Sequence, residues 1–226
     1  YVVDGSDSLE KLSRKTFTLN ENINNRGDAG VQKVTSYATS DQGELVLVTY
    51  QELTNREFDS QHNVLNQNVL TYSEVSGTLL DVQEVRNIGL HSSGVALKRI
   101  IVTYPENFAW ELIDVKVIEN SDIDSSGNVG RSVITKYAEC AIANGGTGAV
   151  TPTPGSEIDR QTITTAEFDL RGNALTQTIL SEYWTGTVFM FSEFKDIINN
   201  AYDIHDRTPR SEIKSWSDAS RTELVN

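Results

Sequence analysis

The sequence predicts an all-β protein, built of tandem antiparallel β-hairpins, about six with a period near 34 residues, wound into a curved shell, spiral or barrel-like array. Three observations predict it. First, the unit 58–72 returns five more times: with Phe58 as the register mark, the other marks are Ile23, Leu90, Ile123, Phe168 and Tyr202, at successive spacings of 35, 32, 33, 45 and 34 residues. Second, four residues after each mark stands Gly27, His62, Gly94, Gly127, Gly172 or Asp206, and eleven after it Val34, Val69, Ile101, Ile134, Ile179 or Ile213. Third, an asparagine stands three before the mark (Asn20, Asn55, Asn87, Asn120, Asn199), with only Thr165 departing; an aromatic stands fourteen after it (Tyr37, Tyr72, Tyr104, Tyr137, Trp216), Tyr183 falling one place late.

The turns come from Asp124-Ser125-Ser126-Gly127-Asn128 and Asp169-Leu170-Arg171-Gly172-Asn173, with Asp59 and Asp203 in the same place in two further copies. An Asp side chain bonds the backbone two residues on, and glycine at the left-handed position closes a type I turn with a bulge that suits strand twist. His62 and Asp206, where glycine is missing, belong to the residue types enriched at positive φ.

After each turn the chain reads as a strand, as in 64–72, and then as a second one, as in 79–87. Comparable second strands are 44–53, 110–119, 157–164 and 188–198, rich in β-branched and aromatic residues, and no helix is predicted. About twelve strands exceed the ~10 that an open sheet holds before it curls or splits. Val, Ile and Leu are therefore expected on an inner face, and Asn, Gln and Tyr in rows on alternate strands.

A net charge of -13 and only 4 Pro in 226 residues suit one repeat body, 1–226, interrupted only by an inserted flexible loop at 141–156 that accounts for the longest spacing. Residues 14–19 read as the second strand of a preceding hairpin, and 220–226 as the start of another, so the expectation is a fragment of a longer array. Truncation would expose a hairpin edge and favour end-to-end association. No segment approaches the ~20 apolar residues of a membrane helix.

The chemistry-bearing residues read as structural. Cys140 is single, which excludes an internal disulfide framework, and no base cluster lies near it in sequence. His62, His91 and His205 fall in separate turns rather than at zinc-ligand spacing. The turn aspartates suggest calcium, but equivalent turns two strands apart lie ~9.5 Å from one another, against ligand distances of ~2.3–2.6 Å. An Asx-type turn explains them better, and no cofactor is expected. Arg26-Gly27-Asp28, an adhesion tripeptide on paper, is read as a turn glycine with its neighbours. The acidic chain has no basic stripe for nucleic acid, and no motif of phosphate cradling, serine hydrolysis or zinc proteolysis is present.

The mark-Asp-x-x-Gly-Asn grammar, most literal at Tyr202-Asp203 and across 168–173, resembles the YD repeats of RHS-type bacterial proteins. The resemblance implies tandem hairpins coiled into a hollow shell on large secreted or surface proteins, some enclosing a toxin or carrying adhesive ends. Phe, Ile or Leu mostly replaces the Tyr here, the unit is longer, and no self-cleaving core is present. The chain is also similar to the hairpin arrays of giant bacterial surface proteins. The expected function is thus structural rather than enzymatic: an acidic segment of an extracellular or cell-surface bacterial repeat protein that extends, encases or displays, its partners being neighbouring repeats. The alternative is an adhesion module binding a glycan or surface protein through the 141–156 loop, with Asn144, Thr147, Thr151 and the aromatics Trp110 and Trp184 as contact residues. An enzyme without a recognisable motif comes third.

Overall fold

The computed structural model describes residues 2–3, 9–11, 14–40, 43–75, 77–105, 112–203, 206, 208–223 and 225. Short strands β1 (Val2–Val3) and β2 (Leu9–Lys11) form a sheet of their own. The main sheet has twelve antiparallel strands: β3 (Arg14–Ile23), β4 (Ala29–Thr39), β5 (Leu45–Phe58), β6 (Val64–Tyr72), β7 (Leu79–Leu90), β8 (Ala96–Pro105), β9 (Asp114–Ile123), β10 (Val129–Tyr137), β13 (Glu157–Phe168), β14 (Ala174–Trp184), β15 (Phe189–Asn199) and β16 (Ser211–Trp216). Between β10 and β13 lie β11 (Cys140–Ile142) and β12 (Val150–Pro152), a separate two-stranded sheet. The main sheet is a meander whose order runs from β3 at one end to β16 at the other. Among the described residues the one helical element is a 3-10 turn at Asn144–Gly146.

Five of the register marks, Ile23, Phe58, Leu90, Ile123 and Phe168, are the last residues of their strands. The second strands of the repeats run further toward the mark than their composition predicts: β5 reaches Phe58 rather than residue 53, and β7 reaches Leu90 rather than 87. Asparagine is a poor strand former by propensity, yet Asn20, Asn55, Asn87 and Asn120 lie inside their strands and Asn199 ends its own, each with its side chain hydrogen-bonded. The segment 220–226 forms no strand among its described residues, and the strand expected over 110–119 begins at Asp114.

Just before the mark the ladder absorbs an irregularity in two ways. Asn22 (φ 53) and Asp122 (φ 54) adopt the left-handed conformation. A Cβ on the facing glycine would stand 3.1 Å from the Asn22 carbonyl oxygen at Gly30 and 2.9 Å from that of Asp122 at Gly130. In β5–β6 and β13–β14 the register instead slips by a bulge, between Asn55 and Glu57 and between Thr165 and Glu167.

The chain divides into two compact units. One comprises Tyr1–Arg86 with Val102–Ile113; it buries Tyr50, Val69, Val82, Val85 and Val102 together with polar Asp28, Thr35, Asn55, Asn68, Thr71, Glu84 and Arg86. The other comprises Asn87–Ile101 with Asp114–Asn226 and buries Ala96, Ile100, Val115, Val117, Val150 and Thr165. The recurrent β-branched residue eleven after the mark is not the most buried position. Val69 is buried there, but Ile213 is 59% exposed, whereas Ile100 and Val102, ten and twelve after Leu90, are 2% exposed or less. Strand alternation sets this, because the eleventh position shares its face with the asparagine partner at the ninth.

Candidate functional site

Each turn is closed by backbone and side chain together. In the fourth, Asp124 N–H donates to the Asn128 carbonyl (3.0 Å) and Gly127 N–H to the Asp124 carbonyl (3.0 Å). Asp124 Oδ1 accepts from the N–H groups of Ser126 (2.8 Å) and Asn128 (2.9 Å), and Oδ2 from Asn128 Nδ2 (2.8 Å). Asp59 with Asn63 and Asp169 with Asn173 repeat this arrangement. In the first turn the two side chains are exchanged: Asn24 Oδ1 accepts from the N–H groups of Arg26 and Asp28, and Asn24 Nδ2 donates to Asp28 Oδ2 (2.9 Å). These bonds favour the ionised carboxylate, so Asp59, Asp124 and Asp169 are held below the usual carboxylate range, chiefly by the asparagine side-chain bond. Oδ1 thus accepts two N–H bonds and Oδ2 one, so a cation would compete with N–H donors at both oxygens. Gly27, Gly94, Gly127 and Gly172 have φ between 86° and 90°, with His62 at 69° and Asp206 at 59° in the same place.

Two pairs of consecutive turns, the first with the second and the fifth with the sixth, are tied in the same way. The residue four after a mark meets the residue five after the preceding mark: His62 Nδ1 lies 2.6 Å from Asp28 Oδ1, and Asp206 Oδ1 accepts from Asn173 Nδ2 (2.8 Å). Where the position is Gly172, no room is left for a side chain, since a Cβ would collide with Oδ1 of Asn128. Arginine three after the mark reaches forward as well. Arg26 donates to the Asp59 carbonyl (2.7 Å), and Arg171 donates to the Asp203 carbonyl (2.6 Å) and pairs with Asp206 (2.9 Å). In Arg26-Gly27-Asp28 the Asp28 side chain is 2% exposed and engaged by Asn24, His62 and Arg26, so its carboxylate is turned inward.

A second rule runs through the strands. In all six repeats the residue three before the mark accepts a hydrogen bond from the residue nine after it: Asn20 from Gln32, Asn55 from Gln67, Asn87 from Arg99, Asn120 from Ser132, Thr165 from Gln177 and Asn199 from Ser211, at 2.6–3.0 Å. The asparagine Nδ2 then reaches into the preceding repeat. Asn55, Asn120 and Asn199 donate to the carbonyls of Ala29, Ala96 and Ala174, each at 2.9 Å. One side chain thus joins two strands of its own repeat and one of its neighbour's.

At the opposite end of the sheet the insertion is built as a small hairpin, Ala141 facing Thr151 and Ile142 facing Val150, rather than as an unstructured loop. Buried Val150 anchors it, and Ala138 N–H to Ser156 O (2.8 Å) and Thr153 N–H to Glu139 O (2.9 Å) fasten it to the main sheet. Asn144 is exposed with φ 52 and its carbonyl accepts from Thr147 Oγ1 (3.0 Å); Thr151 is exposed on β12. Burial pushes the Cys140 thiol pKa up, as expected of an unreactive thiol.

Trp184 ends β14 at this same end and packs at a 56° tilt against Phe189 (4.9 Å between centroids), whose ring also carries the Arg160 guanidinium at 4.1 Å. Arg160 forks onto Glu182 through two bonds of 2.7 and 2.9 Å. Trp184 Nε1 and Glu157 Oε2 are buried without a partner. Trp110 and His205 lie outside the described residues. The candidate contact residues therefore fall on two structures, the inserted hairpin and the Trp184–Phe189–Arg160 stack, both at the loop end of the sheet.

One polar cluster has no sequence signature. Buried Glu84 accepts from Arg56 (2.6 and 2.8 Å), Arg86 (2.8 Å) and Asn68 (2.9 Å). Arg56 lies 28 residues from Glu84 in the chain, so only the strand register brings them together. Among the described residues no group of three or more His, Cys, Asp or Glu is placed to hold a metal, and no helix is long and apolar enough to cross a membrane. No family model and no curated protein matches this chain.

Proposed function

We propose that the chain is a structural segment of a large extracellular or cell-surface bacterial repeat protein, in which hairpin repeats extend, encase or display what is attached to them. The observation that carries this reading is the side-chain bond between the third residue before and the ninth after the mark, made in all six repeats and extended by asparagine to the preceding repeat in three. The recurrent polar residues are committed to joining repeats, which is what an array asks of them. On this reading the sheet winds into a curved shell. Support comes from Val82, Ile100, Val102 and Val115, each 2% exposed or less in a fold with no layer of helices over the sheet among its described residues.

The test is unfolding free energy against repeat number. Adding one 34-residue unit by duplicating a central repeat raises stability if repeats interact with their neighbours alone. No gain from the added unit would indicate a self-contained domain and would sink the array reading.

A second reading, an adhesion module for a glycan or protein, is favoured by the loop end, where Trp184 Nε1 is an unpartnered donor beside the Phe189–Arg160 stack. Glycan-array binding that disappears on Trp184→Ala and on excision of residues 144–154, with the melting transition retained, would establish it. Binding indifferent to both changes would rule out this location.

A further inference from the structure

The two end strands, β3 and β16, each have a partner in the main sheet on one side only. Both are exposed: Phe17 by 57% and Leu19 by 45% on β3, and residues 210–214 throughout. They also carry the two halves of a joint that the protein makes repeatedly inside itself. Wherever one repeat joins the next in β4–β5, β6–β7, β10–β13 and β14–β15, the residue eight after a mark faces the residue four before the following mark, as Val31 faces Thr54, Asn66 Arg86, Arg131 Thr164 and Thr176 Ile198. Arg210 is eight after Tyr202, and Leu19 is four before Ile23.

Asn20 carries a half-made joint too. It accepts from Gln32 like its counterparts, but its Nδ2 has no acceptor among the described residues, whereas Asn55, Asn120 and Asn199 each donate to a preceding repeat. The outer edge of β16 is already taken as a pairing edge at its far end. After a further Asp-type turn, with Asp218 accepting from Thr222 and Arg221 at φ 58, Ser217 N–H bonds the Glu223 carbonyl (2.9 Å) and Val225 N–H the Ser215 carbonyl (2.8 Å). Among the described residues no strand lies on that side of 210–214.

We propose that residues 210–213 of one molecule receive residues 16–19 of a second copy, antiparallel and in the register of the internal joints, so that copies add head to tail. Glu212 then faces Phe17 of the next copy, and Arg210 faces Leu19. Such a contact is heterologous and leaves the same two edges open at the ends, so growth continues past a dimer. The net charge of -13 opposes it, so added salt strengthens it.

This inference rests on the array reading, but the two fail separately: the array is judged from the stability of the dilute monomer, and the joint from mass. Sedimentation of the full chain over a wide concentration range gives an average mass that rises beyond the dimer. Phe17→Lys, placing a cation against Glu212, tightens association about two- to fivefold, Phe17→Glu weakens it by a similar factor, and F17E with E212K restores it. The exposure of Phe17 lets both variants fold, which their melting curves verify. Removing residues 223–226 uncovers the rest of the β16 edge and also strengthens association. A monomer throughout, association that stops at the dimer, or Lys and Glu at position 17 shifting it in the same direction overturns the proposal.

Discussion

His62 Nδ1 lies 2.6 Å from Asp28 Oδ1, linking the tip of the second turn to the base of the first across 34 residues of chain. The contact compensates a backbone that favours glycine: His62 sits at φ 69, and Asp206 at φ 59 makes the equivalent bond to Asn173.

The turn carboxylates make stability depend on acid. Asp28, Asp59, Asp124 and Asp169 all have folded pKa values lowered from the ordinary 3.8, first by their asparagine partners and, for Asp28, by His62 as well. A depressed carboxylate contributes stability that is fully present above the unfolded value and is lost as pH falls through the folded one. The melting temperature is therefore expected to fall as pH drops below about 4. Asp28→Asn should make that fall shallower; thermal scans from pH 7 to acid with an unchanged slope would refute the assignment.

Glycine at two turns carries different demands. Gly27 and Gly172 share φ near 90°, but only Gly172 has a neighbour, Asn128, in the space of a side chain. Gly27→Ala should cost the left-handed penalty alone, ~1–2 kcal/mol. Gly172→Ala should cost more, because Asn128 must turn away from Asp124 as well. Equal losses in denaturant titrations would show that the turns do not abut.

The asparagine row gives a graded series. Asn55 is buried and bonds Ala29, Gln32 and Gln67, whereas the side chain of exposed Asn20 bonds, among the described residues, only Gln32. Asn55→Ala is expected to cost about 2–3 kcal/mol by leaving buried groups unpaired, and Asn20→Ala less than about 1 kcal/mol. Asn55→Thr should recover part of the loss, since Thr165 accepts from Gln177 in the fifth repeat. Urea unfolding that gives Asn20→Ala the larger effect would remove the inter-repeat bond from consideration.

The turns were legible in the sequence because Asp, Gly and Asn at fixed offsets each answer to backbone geometry within five residues. Strand ends were less legible. Asn55 and Asn120 are poor strand formers by propensity, and the partners that hold them in a strand lie 12 residues away or in another repeat. The insertion was visible as Gly- and Pro-rich sequence, but its hairpin depends on the burial of Val150, which composition does not announce. Trp184 was visible as an aromatic near the insertion; its stacking with Phe189 and Arg160 was set by the register of β13, β14 and β15.

Glu84 provides the largest single-site effect expected in the molecule. It stands between Arg56, 26% exposed at its side chain, and Arg86, 6% exposed. Burying an ion pair brings little net stability, since desolvation offsets the attraction, but removing one partner leaves the other charged and without its counterion. Glu84→Ala removes the carboxylate that both guanidiniums share and should cost about 3–5 kcal/mol. Arg56→Ala leaves the Arg86–Glu84 pair intact at a side chain nearer solvent, so its cost should be smaller. Because the three groups act together, the Arg56–Glu84 double-mutant cycle should give a coupling of at least about 1 kcal/mol. Additive losses in that cycle, measured by chemical unfolding, would mean that Glu84 is held by Arg86 and Asn68 alone, with the Arg56 fork making no contribution to stability.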